Sequence, residues 1–447
     1  MPLTSPEVQI PFEPEVSREW LRMLPASVSS RFARNVFETY ATRVMLLGVT
    51  LLTTIVVARF LGPEGRGLYA VAAALGSLGV QFGNAGLHTA NVYYAAREPE
   101  QLPLLIGNSL LVGLGCGAIL ATVGAVVTWL APDLISLRGN ILLLGLLWIP
   151  LGITYLLIQD LLLGVHDVRG YNLLEIVNKT FPLILMATLA LTRLVSVSSF
   201  FATTVLIITA CTIWGVSRLR SSCSTYPRIS IALLGMSFHY ALRTYLVTLF
   251  SFFVFRADLF MVQHMLGAAD AGLYSIASSM ADSVWLLAVV VGTILLPKLS
   301  SLPDLKTKLH LTQRALVGIV VSLLPLLLLG SLSSGPVIRI LFGPAFMPSR
   351  LPFILLMPGM LFLGIETVAM QFLNSVGCPL SVVWLMASCA TLNFIANLWA
   401  IPRYGISGAS VVSSITYFVA AAFVLLLTWR IGMRQPSMQQ EVEVAAH

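Results

Sequence analysis

Charged residues are scarce in this sequence, and long polar segments are missing. Only 10% of its 447 residues are Asp, Glu, Lys or Arg, while 57% are hydrophobic. Soluble domains average about 25% charged residues. Apolar runs of roughly 18 residues or more, the length that spans a bilayer, recur from end to end. The sequence is therefore that of a polytopic membrane protein.

Motifs for several kinds of chemistry are also missing. The five cysteines are scattered and no pair has metal-ligand spacing, so neither a disulfide framework nor a metal site is expected. No Walker loop is found, which argues against a built-in ATPase. The net charge of +7 is not accompanied by a basic patch interleaved with aromatics, so no nucleic-acid partner is expected. The polar stretches between apolar runs are short, which disfavours a membrane-embedded glycosyltransferase or polymerase with a catalytic loop.

The apolar runs predict an all-α protein of about twelve transmembrane helices, joined by turns that contain proline or glycine. The predicted helices are residues 39–60, 68–95, 102–130, 141–163, 172–191, 197–216, 232–255, 271–296, 312–332, 351–376, 380–401 and 406–429. A glycine-rich segment, Gly62 to Gly67, connects the first two. We expect it to form a turn on the outer side rather than a phosphate-binding loop.

Lysine and arginine residues predict the orientation. Twelve helices place both termini on one side; if that side is cytoplasmic, 16 Lys and Arg residues lie in or beside its tails and loops. Four more lie within predicted helices, and the outer side receives six: Arg66, Arg138, Arg193, Arg339, Arg350 and Arg403. Basic residues accumulate in cytoplasmic loops. We therefore predict that both termini are cytoplasmic.

An internal repeat relates the two halves of the chain. Residues 58–62 and 67–69 (ARFLG and GLY) match residues 263–267 and 272–274 (QHMLG and GLY) at a constant offset of 205. Both copies join the first helix of a half to the second, which predicts a parallel repeat of two six-helix lobes around a central cavity. The predicted segments are a cytoplasmic or interfacial N-terminal segment (1–38), the N-terminal lobe (39–216), a basic cytoplasmic linker (217–231), the C-terminal lobe (232–430) and a cytoplasmic C-terminal tail (431–447).

Cationic residues within the predicted helices indicate a binding site. Burying an ionisable side chain at the bilayer centre costs about 2.5–3.5 kcal/mol even on a lenient scale, so such residues face a bundle interior or a cavity. We predict that Arg43, Lys179, Arg243 and Arg256 bind an anionic group there. Guanidinium forms charge-assisted, bidentate hydrogen bonds with phosphate. Two structural alternatives stay open: Arg43 snorkels to headgroups, or Arg256 pairs with a neighbouring acid.

Coupling of transport to an ion gradient needs residues that change charge or bind a cation. The available acids are Asp160, Asp258, Asp282 and Glu366, and His88 and His239 titrate near neutral pH. Each acid has an alternative role as a salt-bridge partner. Apart from an H+ or Na+ gradient, no cofactor is expected. Gly76, Gly79, Gly83 and Gly86 give the second helix a smooth face, for which close helix packing is the expected role.

Three sets of motifs resemble the polysaccharide-exporting flippases (Wzx type) of the multidrug/oligosaccharidyl-lipid/polysaccharide superfamily. Residues 58–69 (ARFLGPEGRGLY) resemble the first hairpin of that family. Residues 256–258 (RAD), 266–274 and 296–300 (LPKLS) resemble its seventh and eighth spans. Residues 373–377 (LNSVG) and 401–409 (IPRYGISGA) resemble its last spans. The resemblance covers nearly the whole chain.

The resemblance implies a transporter rather than an enzyme. Members of that family move undecaprenyl-pyrophosphate-linked oligosaccharides from the cytoplasmic to the outer leaflet of the bacterial inner membrane, for surface or exopolysaccharide biosynthesis. The implied partners are the lipid-linked oligosaccharide, membrane lipids and the polysaccharide polymerase machinery. Two alternatives within the superfamily stay open: a small-molecule or drug antiporter, whose mark would be an acidic cavity, and a lipid II transporter.

Overall fold

The computed structural model describes the backbone of residues 26–132, 135, 137–223 and 225–433; within these ranges it does not describe the side chains of residues 26–44, 240, 243 and 244. Two helical segments, Ala26–Asn84 and Leu380–Gly432, are each divided by a glycine in the left-handed region, Gly62 with φ 68° and Gly405 with φ 60°. Side chains are disfavoured at such a φ, so glycine permits the sharp bend between two helices.

Twelve membrane-length helices result in the described part of the chain, which confirms the predicted fold class. They are α1 (residues 26–61), α2 (residues 63–84, continued by Leu87–Arg97), α3 (residues 102–130, including the π-helical Leu111–Cys116), α4 (Gly139–Gly164), α5 (Val168–Leu191), α6 (Val197–Ser221), α7 (Ile231–Leu266), α8 (Ala268–Ser300), α9 (Leu305–Leu341), α10 (Arg350–Ser375), α11 (residues 380–404) and α12 (residues 406–432). The 3₁₀ segments Pro99–Gln101 and Pro344–Ser349 precede α3 and α10.

Each lobe has its own apolar core and an apolar outer surface. Leu105, Ile158 and Ile208 belong to the core of the N-terminal lobe, and Leu323 and Phe372 belong to that of the C-terminal lobe. Large apolar side chains also point outward: Trp129, Leu191 and Leu332 are 79%, 84% and 76% exposed. Helices that are apolar on all sides are typical of a bilayer environment, where lipid covers the outward faces.

Glycines of α2 bring α4 close, and this contact positions one wall of the central cavity. A Cβ atom at Gly76 would lie 2.0 Å from Cε3 of Trp148, and one at Gly83 would lie 2.2 Å from Cδ1 of Ile153. A side chain at either glycine would collide with these α4 side chains. The indole ring of Trp148 therefore lies directly on the backbone of α2, as the close-packing role expected for these glycines requires.

The sequence repeat has a structural counterpart at the α1–α2 and α7–α8 bends. Gly62 and Gly267, which are 205 positions apart, both adopt positive φ (68° and 101°) with extended ψ. The same bend therefore joins the first two helices of each lobe. We call the end of the molecule that carries these bends the outer end and the end that carries the 222–230 linker the inner end, following the predicted orientation.

The linker between the lobes is fixed to the N-terminal lobe at the inner end. Asn108 of α3 donates from Nδ2 to the Ser230 carbonyl (2.9 Å) and accepts from the Ser230 N–H (2.9 Å). The Arg228 N–H donates to the Pro103 carbonyl (3.1 Å). α6 continues to Ser221, so the connection between the lobes is shorter than the 217–231 segment expected from the sequence, and the division into domains otherwise stays a prediction.

An ion pair at the inner end supplies a first test of the fold. Asp167 caps α5 by accepting from the Gly170 N–H (3.0 Å) and pairs with the Arg218 guanidinium (2.5 Å). The hydrogen bond from Arg218 lowers the pKa of the Asp167 carboxyl, and the Gly170 N–H lowers it further. A carboxyl whose pKa falls on folding stabilises the native state above its unfolded pKa of about 3.9, and this contribution disappears as pH falls through the lowered folded pKa.

We expect Asp167→Asn to lower the free energy of unfolding by at most about 1 kcal/mol at pH 7, because the Arg218 side chain is 44% exposed and solvent screens the pair. Asparagine retains an oxygen that can accept the capping hydrogen bond, so the decrease in the free energy of unfolding measures the contribution of the ion pair. The difference in thermal unfolding midpoint between variant and wild type should shrink from pH 7 to pH 3. An equal difference at both pH values would show that the ion pair is not its source.

Candidate functional site

A cavity of about 370 Å³ lies between the two lobes. It is lined by α1, α2, α4, α5 and α6 of the N-terminal lobe and by α7 and α8 of the C-terminal lobe. Its uncharged polar lining consists of Thr50, Thr53, Thr54, Ser77, Asn178, Thr204, Ser275, Ser278 and Ser279. Tyr69 and Trp148 form an aromatic wall beside them. The cavity therefore offers many hydrogen-bonding groups within a protein that is otherwise apolar.

Three of the cationic side chains that the structure describes line this cavity, and they belong to both lobes. They are Arg66 of α2, Lys179 of α5 and Arg256 of α7. Among the described lining residues there is no carboxylate. The lining is thus suited to an anion with several oxygen acceptors, because guanidinium and ammonium groups form the strongest hydrogen bonds with charged acceptors.

Arg66 corrects an expectation from the sequence. It was assigned to the outer connection between α1 and α2, but only Gly62 in that segment is non-helical, and α2 already includes Gly65, Arg66 and Gly67. Arg66 is 8% exposed and donates from Nε to the Ser275 hydroxyl of α8 (3.1 Å). The helix starts at Pro63, because proline is well tolerated in a first helical turn.

Arg256 lines the cavity and also has an acidic neighbour. One guanidinium nitrogen lies 3.5 Å from a carboxylate oxygen of Asp282 on α8. Both predicted roles for Arg256 are thereby compatible, since one contact with Asp282 leaves most of the five N–H donors of arginine unused. Asp282, predicted as a coupling residue, lies next to the site through this pair.

Lys179 is one helical turn from an acid on the same helix. Glu175 and Lys179 are four residues apart on α5, which places them on one face. The Glu175 carboxylate interacts electrostatically with both Lys179 and Asp160 of α4. Asp160, another predicted coupling residue, is half-buried in the N-terminal lobe and does not line the cavity.

Two of the four predicted cationic site residues lie outside the described side chains. Arg43 is in α1, seven residues before Thr50, and Arg243 is in α7, thirteen residues before Arg256. Their backbone is helical, and their contribution to the cavity stays a prediction. Lys179 and Arg256 are brought together with Arg66, which sequence reasoning missed.

Asp258 is the centre of a buried hydrogen-bond network outside the cavity. Its side chain is 3% exposed and accepts from the Leu259 N–H (2.7 Å), the Ser413 hydroxyl (3.2 Å) and the Tyr274 hydroxyl. The carboxylate thereby joins α7, α8 and α12. All of these donors are neutral.

The other predicted coupling residues lie apart from the cavity. Glu366 of α10 has no hydrogen bond or ion pair to any residue the structure describes, and it lies in electrostatic range of Cys389. The Nδ1 atom of His88 is 2.9 Å from Oδ1 of Asn84. His239 is exposed on α7. None of the three belongs to the cavity lining.

Arg66 lies beside the point where the two copies of the repeat meet. Gly67 and Gly272 are equivalent positions, and the structure places them against each other: a Cβ atom at Gly67 would lie 1.8 Å from the Ala268 carbonyl oxygen, and one at Gly272 would lie 1.9 Å from the Pro63 carbonyl oxygen. Glycine permits such backbone contact. Arg66 precedes Gly67 on α2, and its side chain crosses this interface to Ser275 of α8.

The lobes also contact each other on the inner side of the cavity. The Tyr245 hydroxyl of α7 donates to the Phe82 carbonyl of α2 (3.1 Å). The Phe82 ring packs edge-on against Phe253, with centroids 5.7 Å apart. The cavity is therefore bounded by an outer contact between α2 and α8 and an inner contact between α2 and α7.

Comparisons with known proteins agree with this architecture. The sequence pattern of the family described as "Polysaccharide biosynthesis protein" matches residues 56–350. A Shigella flexneri protein named "Putative O-antigen transporter" is 26% identical over 175 residues, which are 38% of this chain and 41% of that protein. An uncharacterized membrane protein of Methanocaldococcus jannaschii is 27% identical over 139 residues, 30% of this chain and 27% of that protein. The chain thus matches less than half the length of each relative.

Solved structures show the same fold at low sequence identity. The lipid II flippase MurJ in an inward closed conformation has a TM-score of 0.68 at 14% identity and covers 87% of each chain. An inward-facing multidrug resistance MATE family transporter has a TM-score of 0.66 at 14% identity, covering 86% of this chain and 94% of the other. An outward-facing multidrug resistance MATE family transporter has a TM-score of 0.55 at 14% identity, covering 86% of this chain and 98% of the other. At this level of identity the likeness shows a shared fold.

Proposed function

Because the chain belongs to the polysaccharide biosynthesis protein family, we propose that it is a flippase for undecaprenyl-pyrophosphate-linked oligosaccharide. It carries this lipid from the cytoplasmic to the outer leaflet of the bacterial inner membrane, for surface or exopolysaccharide biosynthesis. The protein is a multi-pass membrane protein with the fold of transporters and flippases, and its relatives with described functions are transporters rather than enzymes.

The observation that carries this proposal is the cationic, hydroxyl-rich cavity between the lobes. Arg66, Lys179 and Arg256 supply the positive charge that a pyrophosphate needs. The surrounding hydroxyl and amide groups, together with the Trp148 ring, supply hydrogen bonds and an apolar face for sugar rings. Several Thr hydroxyls donate to carbonyls of their own helix, as Thr53 does to Val49 (2.9 Å), and their oxygens still accept.

The physical problem that such a cavity solves is the cost of moving a polar head group through hydrocarbon. Unpaired polar groups cost several kcal/mol each, and an unpaired charge costs far more. A polar cavity that opens to one side at a time replaces this barrier with hydrogen bonds to protein. Rocking of the two lobes around the site supplies the alternating access, while the undecaprenyl chain remains in the surrounding lipid.

We expect an H+ or Na+ gradient to drive the cycle, with Asp258 as the best-placed coupling residue. It is fully buried, it connects α7, α8 and α12, and it is two residues from the cavity-lining Arg256. Protonation or cation binding at this carboxylate would change how α7 packs in the C-terminal lobe. The flipped product would then be available to a polysaccharide polymerase at the outer face.

A drug antiporter of the same fold is the alternative that the lining disfavours. Binding of cationic drugs needs carboxylates in the cavity, whereas the described lining contains three cations and no carboxylate. A cationic molecule would be repelled there, and an anionic head group would be attracted.

Reconstitution in liposomes with a lipid-linked oligosaccharide tests the proposal, scored as the fraction that becomes accessible to an outside reagent. Wild type should flip the lipid, and Lys179→Gln should flip it about tenfold more slowly, because a charge-assisted hydrogen bond to phosphate is lost. Lys306→Gln is the matched control, since Lys306 is exposed near the start of α9 and away from the cavity. Failure of wild type to flip any of several glycolipids under either ion gradient would overturn the proposal.

A further inference from the structure

The outer contact between the lobes has two parts that lie side by side. The first is the backbone contact of Gly67 with α8, which is too close to admit any side chain. The second is Arg66, which donates from Nε to the Ser275 hydroxyl (3.1 Å) and from a terminal nitrogen to the Ser279 hydroxyl (3.5 Å). These are contacts between an arginine of the N-terminal lobe and two serines of the C-terminal lobe. They must break whenever the outer end opens.

Arg66 also lines the cavity, so its guanidinium serves the contact and the binding site at once. The serine acceptors are neutral hydroxyls, and Ser275 is itself engaged as a donor to the Gly272 carbonyl (2.8 Å). A phosphate oxygen carries a charge opposite to that of the guanidinium and allows two parallel hydrogen bonds, whereas a serine hydroxyl is a neutral, single acceptor. A phosphate group in the cavity is therefore a better partner for Arg66 than the two serines are.

We propose that Arg66 is a ligand-released latch of the outer end: it holds α2 to α8 through Ser275 and Ser279, and the pyrophosphate of the substrate releases it by taking over its donors. This inference rests on the proposed function for the identity of the ligand. It adds a specific coupling between occupancy of the cavity and opening toward the outer side.

The thermodynamic requirement for such a latch is differential affinity. A ligand shifts an equilibrium between two conformations only if it binds one of them more tightly. When the outer end is closed, the donors of Arg66 are shared with Ser275 and Ser279; when it is open, they are free for phosphate. The anion therefore binds the open state more tightly and favours it. After the substrate leaves, Arg66 returns to the serines and the outer end closes again.

Accessibility of one cavity cysteine from outside reports the state of the latch. The parent protein for the test carries Thr53→Cys in a background with the native cysteines replaced, because Thr53 lines the cavity and its hydroxyl donates to the Val49 carbonyl of its own helix. Right-side-out proteoliposomes receive a membrane-impermeant maleimide outside. Inorganic pyrophosphate enclosed inside is the anionic probe. The initial labelling rate is measured with and without it.

We expect pyrophosphate to raise the labelling rate of the parent severalfold. Ser275→Ala combined with Ser279→Ala should raise labelling about tenfold without pyrophosphate, since the hydrogen bonds of the latch are gone, and pyrophosphate should add less than twofold. Ser283→Ala is the matched control: Ser283 is on the same helix, and among the described residues its hydroxyl bonds to the Ser279 carbonyl, so it should behave as the parent. Thermal unfolding midpoints confirm that each variant is folded.

A second variant separates the latch from the anion response. Arg66→Gln retains a side-chain donor for the serines but loses the charge, so its labelling should stay slow and should not respond to pyrophosphate. The latch is overturned if the double serine variant labels at the parent rate. It is equally overturned if pyrophosphate accelerates the parent and the Arg66→Gln variant alike.

The labelling experiment uses no lipid-linked oligosaccharide, so its result is independent of the flipping assay. If the protein flips the lipid but its labelling rate is unaffected by pyrophosphate and by the serine substitutions, the latch is overturned and the proposed function stands. A protein whose labelling responds to pyrophosphate as described, but which flips no lipid-linked oligosaccharide, retains the latch and loses the proposed substrate.

Discussion

Replacing Arg256 by alanine should slow flipping of the lipid-linked oligosaccharide by about 10- to 100-fold. Two effects act in the same direction. The substrate loses charge-assisted hydrogen bonds worth about 1.5–3 kcal/mol. In addition, Asp282, whose carboxylate lies 3.5 Å from the Arg256 guanidinium, is left without its cationic partner beside the cavity. Its negative charge would then oppose an incoming pyrophosphate.

The double variant Arg256→Ala/Asp282→Asn separates these two effects. Removing the orphaned charge should restore part of the rate but not all of it, because the donors to phosphate are still missing. Arg256→Lys should lie between wild type and alanine, since it retains the charge and loses the planar fork. Arg403→Ala is the matched control, because Arg403 lies near the outer end of α11 over the Trp399 ring, away from the cavity. Full recovery in the double variant would show that Arg256 only neutralises Asp282.

Substituting alanine for Gly67 should reduce transport by at least about 100-fold while leaving the two lobes folded. A Cβ atom there would lie 1.8 Å from the Ala268 carbonyl oxygen and 2.9 Å from the Gly272 nitrogen. Backbone atoms cannot move aside as a flexible side chain can, so the outer end should fail to close. Alternating access needs both closed ends in turn, so a protein held open at one end cannot complete the cycle.

Gly272, the equivalent of Gly67 in the second repeat, provides a matching prediction. Gly272→Ala should have the same effect, because its Cβ atom would lie 1.9 Å from the Pro63 carbonyl oxygen. Gly48→Ala is the control, since no described residue lies within 4 Å of a Cβ atom there and alanine favours a helix over glycine by about 1 kcal/mol. Both outer-end variants should show fast labelling of Thr53→Cys from outside. If the Gly67→Ala variant transports at the wild-type rate and is labelled slowly, this contact does not close the outer end.

Composition and periodicity determined much of this protein. Scarce charge and recurrent apolar runs required a bilayer and about twelve helices, because backbone groups in lipid must be satisfied within helices. The 205-residue offset predicted two equivalent lobes, and Gly62 and Gly267 indeed make equivalent bends. The cationic character of the cavity was also predictable in part: Lys179 and Arg256 were expected and both line it.

The tertiary structure alone decided which faces of distant helices meet. Arg66 looked like a residue of an outer connection, and only the backbone contact between Gly67 and α8 places it against Ser275 in the cavity. The separation of Asp258, buried among neutral donors, from Asp282, paired with Arg256, is equally invisible in the sequence. Hydrophobic periodicity is a local property and identifies each helix by itself. Contacts between residues about 200 positions apart depend on how the helices rotate and cross when both lobes pack together.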